Sequence, residues 1–201
     1  MGLGPRSRPL SHGTIRMVMA RATSSSVVPI SLGPTSYLVL GMLTSFGPST
    51  PYELKRYVAD SVGHFWSFPH AQLYSEPARL AGAGLVAEKR EPAGRRRRVF
   101  RVTPAGRRAL RDWLAEASAE PTEIRDLGLL KLFFADQAGP DDVRRLAEAQ
   151  LAGHGDKLAV YKALDTRYAG VSTRYPAYTL QLGLAFERMA VGFWRRVLDE
   201  L

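Results

Sequence analysis

The sequence predicts a mainly α-helical chain with one small β-hairpin. An N-terminal unit contains the hairpin, and a C-terminal unit is helical throughout. Three observations predict this. Apolar residues recur at helical spacing over most of residues 35–201. The main departure, Leu85 to Val102, reads as two short strands around the turn chemistry of Pro92-Ala93-Gly94. The charge is also divided. Residues 1–34 carry 4 basic and 0 acidic groups, residues 35–117 carry 13 and 7, and residues 118–201 carry 11 and 12, so the whole net charge of +9 lies in the first part. The predicted organisation is a flexible basic tail (1–34), a hairpin-bearing domain (35–117) and a helical domain (118–201).

Residues 1–34 are rich in Gly, Pro, Ser and Arg and show no periodicity, which predicts a tail without a core of its own. Tyr37, Leu38, Leu40, Met42 and Leu43 then predict a buried helix from Thr35 to Ser45, closed by Gly47-Pro48. Ser49 or Thr50 can cap a second helix, with Pro51 in its first turn and Glu53 near the positive end of its dipole. Leu54, Tyr57, Val58 and Val62 form its apolar stripe. Phe65, Trp66 and Phe68 are expected to pack in the core. Ser67 is expected to cap a third helix from Pro69 to Ala81, kinked at Pro77. Leu73 and Leu80 face inward on that helix and leave His70, Gln72, Tyr74, Ser75 and Arg79 outward. Gly82 and Gly84 end it. After the hairpin, Thr103-Pro104 starts a fourth helix carrying Ala109, Leu110, Trp113, Leu114 and Ala117 on one face.

The second half predicts three more helices: Ile124 to Asp136, Asp141 to Tyr168 and Pro176 to Leu201, with Gly153 and Gly155 weakening the middle one. The last helix is apolar over a wide arc. Leu180, Leu184, Val191, Trp194 and Leu198 form one stripe, and Phe186, Met189 and Phe193 belong to its neighbour. So wide an arc must be covered on most sides. The few elements available make these residues candidates for a homodimer interface.

Three helices, a two-stranded hairpin and a helix, in that order, are the plan of a winged helix-turn-helix domain. In such a domain the third helix enters the major groove of double-stranded DNA and the hairpin follows the backbone. That plan accounts for Arg95, Arg96, Arg97 and Arg98, four adjacent cations at the hairpin. Their mutual repulsion is relieved by phosphates, and displaced counterions supply affinity. The candidate DNA-binding residues are therefore Tyr52 and Lys55 on the second helix, Ser67, His70, Gln72, Tyr74, Ser75 and Arg79 at the third, and these four arginines.

"SYLVLGMLTSFGPSTPYELKRYV", "FWSFPHAQLYSEPARLAGAGLVAEKRE" and "RRVFRVTPAGRRALRDWL" together resemble the PadR family of bacterial transcriptional regulators over Thr35 to Leu114. The remainder is similar to the longer helical C-terminal domain of one PadR subfamily. The resemblance implies a dimeric winged-helix protein that binds operators, typically as a repressor, often under the control of a small aromatic effector. It places Gln72 and Tyr74 on the family's recognition-helix motif and Tyr52 on the tyrosine of its second helix. It places Trp113 on a tryptophan that lines a ligand pore in some short members. Pro51 replaces the family's usual glycine, and "YSEP" replaces its usual "Y-P-x-L", which leaves the course of the third helix beyond Tyr74 open.

Other classes find little support. There are no cysteines, which removes disulfides and thiolate chemistry. No Gly-x-Ser-x-Gly elbow occurs. The four histidines lack metal-ligand spacing, and Gly82-Ala83-Gly84 stands between helix and strand in the reverse of a phosphate loop's order. The expectation is a cytoplasmic, nucleoid-associated protein with no cofactor, no metal, no catalysis and no membrane span. The rival readings are a winged-helix module that meets an acidic protein, and a nonspecific nucleic-acid binder.

Overall fold

The computed structural model describes residues 30–67, 69, 71–90, 97–170 and 173–201. The chain divides into two compact units, Met1–Ala119 and Glu120–Leu201.

In the first unit, α1 (Pro34–Ser45), α2 (Pro51–Ala59) and α3 (Gln72–Gly82) precede an antiparallel hairpin of β1 (Val86–Arg90) and β2 (Arg98–Val102), and α4 (Pro104–Ala115) closes it. Helix α2 starts with a capping box. Glu53 N donates to the Thr50 hydroxyl, and Thr50 N donates to the Glu53 carboxylate at 2.7 Å. Gly47, at a φ of 83°, makes the turn before it, where an L-residue would be strained. The core joins Val39, Leu40 and Leu43 of α1 to Leu54 and Val58 of α2, Leu73 and Leu80 of α3, and Val86, Phe100 and Val102 of the hairpin. An additional link ties the helices to the hairpin. Ser49 exchanges two 2.9 Å backbone hydrogen bonds with Phe100, so the hairpin gains a one-residue third strand just before α2.

Three expectations for this unit require correction. Ser67 does not cap α3. The helix starts at Gln72, its N-cap is Ala71 without a capping side chain, and Gln72 N donates to the Pro69 carbonyl in a turn that precedes it. Helix α3 is continuous through Pro77, whose ring is buried. Phe65 and Trp66 are not core residues. They are 59% and 47% exposed, whereas the core cluster is built from others, Leu54, Val58 and Leu73 among them. Finally, the tail does not extend to residue 34. Ile30 and Leu32 pack against the core, and α1 already begins at Pro34. Residues 1–29, Phe68, His70 and 91–96 lie outside the described residues.

In the second unit, α5 (Leu127–Phe133) and a 3-10 turn (Ala135–Gln137) lead to two long helices, α6 (Pro140–Tyr168) and α7 (Arg174–Asp199). Asp126 caps α5 by accepting from Gly128 N and Leu129 N. Helix α6 continues through Gly153 and Gly155. Its pairing with α7, rather than its intrinsic propensity, holds it there. Gly183 lets the Tyr161 ring lie against α7, where an added Cβ would come within 2.8 Å of it. Leu184 and Trp194, named above as dimer candidates, are buried inside this unit together with Ala147, Tyr161 and Ala190. They are core residues of the protomer first. Leu180, Val191, Phe193 and Leu198 are half-buried, whereas Phe186 and Met189 are exposed.

Candidate nucleic-acid interface

Helix α3 packs against α1 and α2 through Leu73, Pro77 and Leu80, spaced at four and three residues so that they share one face. The opposite face holds Gln72, Tyr74 and Ser75, all exposed, with Tyr74 at 48%. Thr35 donates to the Gln72 side-chain oxygen at 2.8 Å, which leaves the amide N–H groups free of that bond. Ser75 Oγ lies 3.4 Å from the Gln72 carbonyl, a long bond that a better acceptor would replace. The start of α3 thus presents an amide, a phenol and a hydroxyl, side chains able to bond base edges or phosphates. On α2, Tyr52 is 69% exposed and Lys55 is exposed.

Arg79 does not join this face as a free cation. It donates to both Glu76 oxygens, at 2.7 and 2.8 Å, to Ser36 Oγ at 3.0 Å and to the Ser31 carbonyl at 3.1 Å. Ser36 in turn donates to Glu76 at 2.6 Å. Burial pushes the Glu76 carboxyl up, but the bonds from Arg79 and Ser36 outweigh it and hold it below the ordinary range. The same bonds to Glu76 raise Arg79 above its ordinary value. The arginine is a structural clamp between α3 and α1, which "SEPAR" at i, i+3 spacing signals only as a surface ion pair.

The hairpin arginines divide as well. Arg95 and Arg96 lie outside the described residues. Arg97 is exposed, and Arg98 is the first residue of β2. Strand alternation places Arg98 on the side of Phe100 and Val102, opposite Arg90 and near Glu88. Its guanidinium grips both Glu88 oxygens at 2.8 Å, and Arg90 donates to the same carboxylate at 2.9 Å. The Arg98 bonds, then those of Arg90, lower the Glu88 carboxyl to about 2. Arg98 is therefore already paired, contrary to the expectation of a cation held for phosphate. The other face of the hairpin carries Lys89 and Arg101, both exposed and without an acidic partner among the described residues. Sequence reasoning missed these two, although their parity with the apolar strand positions would have revealed them.

Trp113, the candidate ligand residue, is 41% exposed. It stacks on Tyr37 with ring centroids 4.5 Å apart and planes 6° from parallel. One face of the indole is thus occupied by a side chain of its own unit. Among the described residues no group of three or more His, Asp or Glu could hold a metal, and no helix is long and apolar enough to cross a membrane.

Residues 39–112 match the model of the "Transcriptional regulator PadR-like family", and residues 124–201 match that of the "Virulence activator alpha C-term". The "Negative transcriptional regulator PadR" of Bacillus subtilis is 27% identical over 125 residues, covering 61% of this chain and 68% of that one. Its crystal structure in complex with operator DNA superimposes with a TM-score of 0.73 at 24% identity, over 83% of this chain and 98% of that chain. The same regulator in complex with p-coumaric acid gives 0.68 at 22% identity, over 85% and 98%. At these identities the two structures establish a shared fold.

Proposed function

We propose that this chain, whose residues 39–112 match the PadR-like family of transcriptional regulators, binds an inverted-repeat operator as a homodimer and represses transcription at the nucleoid. The observation that carries this reading is the exposed Gln72-Tyr74-Ser75 face at the start of a helix whose other face is locked into the core. Two such helices related by a two-fold axis would enter successive major grooves. Tyr52 and Lys55 of α2, with Lys89, Arg97 and Arg101 of the hairpin, would meet phosphates and fix the register. Ser67, His70, Arg95 and Arg96 complete the proposed set by their place in the sequence. Arg79 and Arg98 serve it indirectly, by holding α3 and the hairpin in shape.

Relief of repression would come from a small aromatic effector, by analogy with the relative that is solved with p-coumaric acid. Trp113, 41% exposed and stacked on Tyr37, offers a stacking surface. Such a ligand shifts the equilibrium only if it binds one arrangement of the dimer better than the other.

Fluorescence anisotropy on two duplexes tests the function: the gene's own upstream region and a scrambled control, each over a salt series. A preference of ~10³ or more with a steep salt slope supports an operator-specific regulator. Equal weak affinity for both supports the nonspecific reading. No binding at low salt removes DNA as the partner and favours an acidic protein instead.

A further inference from the structure

Helix α3 carries two neighbouring faces besides its buried one. Tyr74 and Ser75 belong to the outward face, whereas Gln72, Glu76 and Arg79 recur at i, i+4 and i+7 and form a stripe towards the start of α1. Each member of that stripe is bonded to α1. Thr35 donates to the Gln72 side-chain oxygen at 2.8 Å, Ser36 donates to Glu76 at 2.6 Å, and Arg79 donates to Ser36 Oγ at 3.0 Å. Ser36 is buried, and Val39, Leu40 and Leu43 lock α1 into the core, so the Thr35 hydroxyl is offered from a fixed position. Gln72 ends the stripe and borders the outward face. Its amide oxygen is engaged by α1, while its NH2 group remains for a partner in front of α3.

An amide reads a base edge according to which of its ends is available. With both ends it pairs with adenine, accepting from N6 and donating to N7. With its NH2 alone it can only donate, and the major-groove edge that offers two acceptors side by side is that of guanine, O6 and N7. We propose that Thr35, which lies on α1 and outside the recognition helix, is a positioning residue for base preference: by occupying the Gln72 oxygen it directs Gln72 to a guanine edge and away from adenine. Thr35 itself contacts no base. It acts through the orientation of the amide, and holding that orientation before binding also spares part of the ordering cost of a long side chain.

The proposal rests on the DNA-binding reading, and its test separates the two. The full chain is titrated with the upstream duplex, the scrambled control and a panel in which each base pair of the bound region is replaced in turn. It is compared with Thr35→Val, which removes the hydroxyl and keeps the shape, with Thr35→Ser, which restores the hydroxyl, and with Gln72→Ala. Gln72→Ala should abolish discrimination at one base pair of each half-site, where the unaltered chain should prefer G·C by about 5- to 100-fold, the worth of one good base contact. Thr35→Val should cut that preference by about 5-fold or more and let A·T compete at the same pair only, with the salt slope unchanged. Thr35→Ser should return the preference. A Thr35→Val variant that weakens all duplexes alike, or that leaves every preference as it was, overturns the positioning role. So does an A·T preference at the pair that Gln72 reads, or the absence of any pair that responds to Gln72→Ala. The operator reading survives those results as long as the unaltered chain prefers the upstream duplex to the scrambled control. Failure of that preference overturns both.

Discussion

Glu88 accepts bonds from Arg98 and Arg90 because strand parity brings all three side chains to one side of the hairpin. Its removal therefore has two opposite consequences. Glu88→Gln releases two guanidinium groups beside the surface proposed for DNA, so the salt slope of duplex binding should steepen by about 1 to 2. A salt series on the variant checks this, and an unaltered slope would show that neither arginine reaches a phosphate. The second consequence concerns acid stability. Glu88 is depressed from 4.5 to about 2, and a depressed carboxyl stabilises the fold above its unfolded value. That contribution is complete above about 4.5 and is lost as pH falls towards about 2. Glu53, lowered by the Thr50 backbone N–H and then by the Thr50 hydroxyl, acts in the same direction, as does Glu76. Acid unfolding of the wild type should therefore steepen below pH 4.5, and Glu88→Gln should flatten it. The effect stays small, because the Arg90 side chain is 71% exposed and solvent screens the pair.

Elements were legible where local chemistry sets them. Thr50-Pro51-x-Glu53 announces the start of α2, because the capping box needs only residues three apart. The start of α3 was not legible. Ala71 supplies no capping side chain, and the Pro69 turn resembles a helix start from sequence alone. Nor was the Ser49–Phe100 bridge, since a one-residue strand has no alternation to read. Arg98 was legible as a cation but not as a paired one, because its partner lies ten residues away across the hairpin. Glu187 was missed although it left a signal. It lies three residues after Leu184 and seven before Trp194, within an apolar stripe of α7, and it is 1% exposed. His154 Nδ1 lies 2.6 Å from one of its oxygens and Lys157 Nζ 3.3 Å from the other, both from α6. This cluster should fix the register of the two helices. His154→Ala strands one oxygen of a buried acid and should cost about 2–4 kcal/mol. H154A/E187Q should recover part of that loss, because the amide no longer needs a cation. Urea unfolding of the two variants decides it, and a double variant less stable than H154A would refute the argument. Gly106 makes a separate point within the first unit. A Cβ there would lie 2.1 Å from the Leu85 carbonyl, so Gly106→Ala must displace α4 from the hairpin and should lower stability by about 3 kcal/mol, readable as a Tm shift.

At the scale of the whole molecule, the second unit is short of interior. Among the described residues its buried side chains are few: Ala147, Tyr161, Leu184, Ala190 and Trp194, with Glu187 among them. Meanwhile Leu182 is 73% exposed, Met189 58%, Phe133 79%, Leu127 65% and Leu130 56%. Scattered exposed apolar residues are ordinary, but this number on two helices of an 82-residue unit is not. Covering such a surface with a second copy would complete the core that one copy lacks, as obligate dimers commonly do. F186E/M189E should therefore shift the protein from dimer to monomer in sedimentation, while the first unit keeps its fold. The change would extend to DNA. A monomer brings one α3 to one half-site, and it loses the gain that a dimer draws from binding the second half-site without a further association step. Affinity for the upstream duplex should fall by about 10²-fold or more, while the scrambled control, bound through phosphates alone, should weaken far less. A variant that stays dimeric would place the subunit contact elsewhere, with α5 and its exposed Leu127, Leu130 and Phe133 the next surface to alter. A variant that becomes monomeric yet keeps its preference would mean that one α3 and one hairpin suffice for recognition, and the inverted repeat would then lose its physical basis.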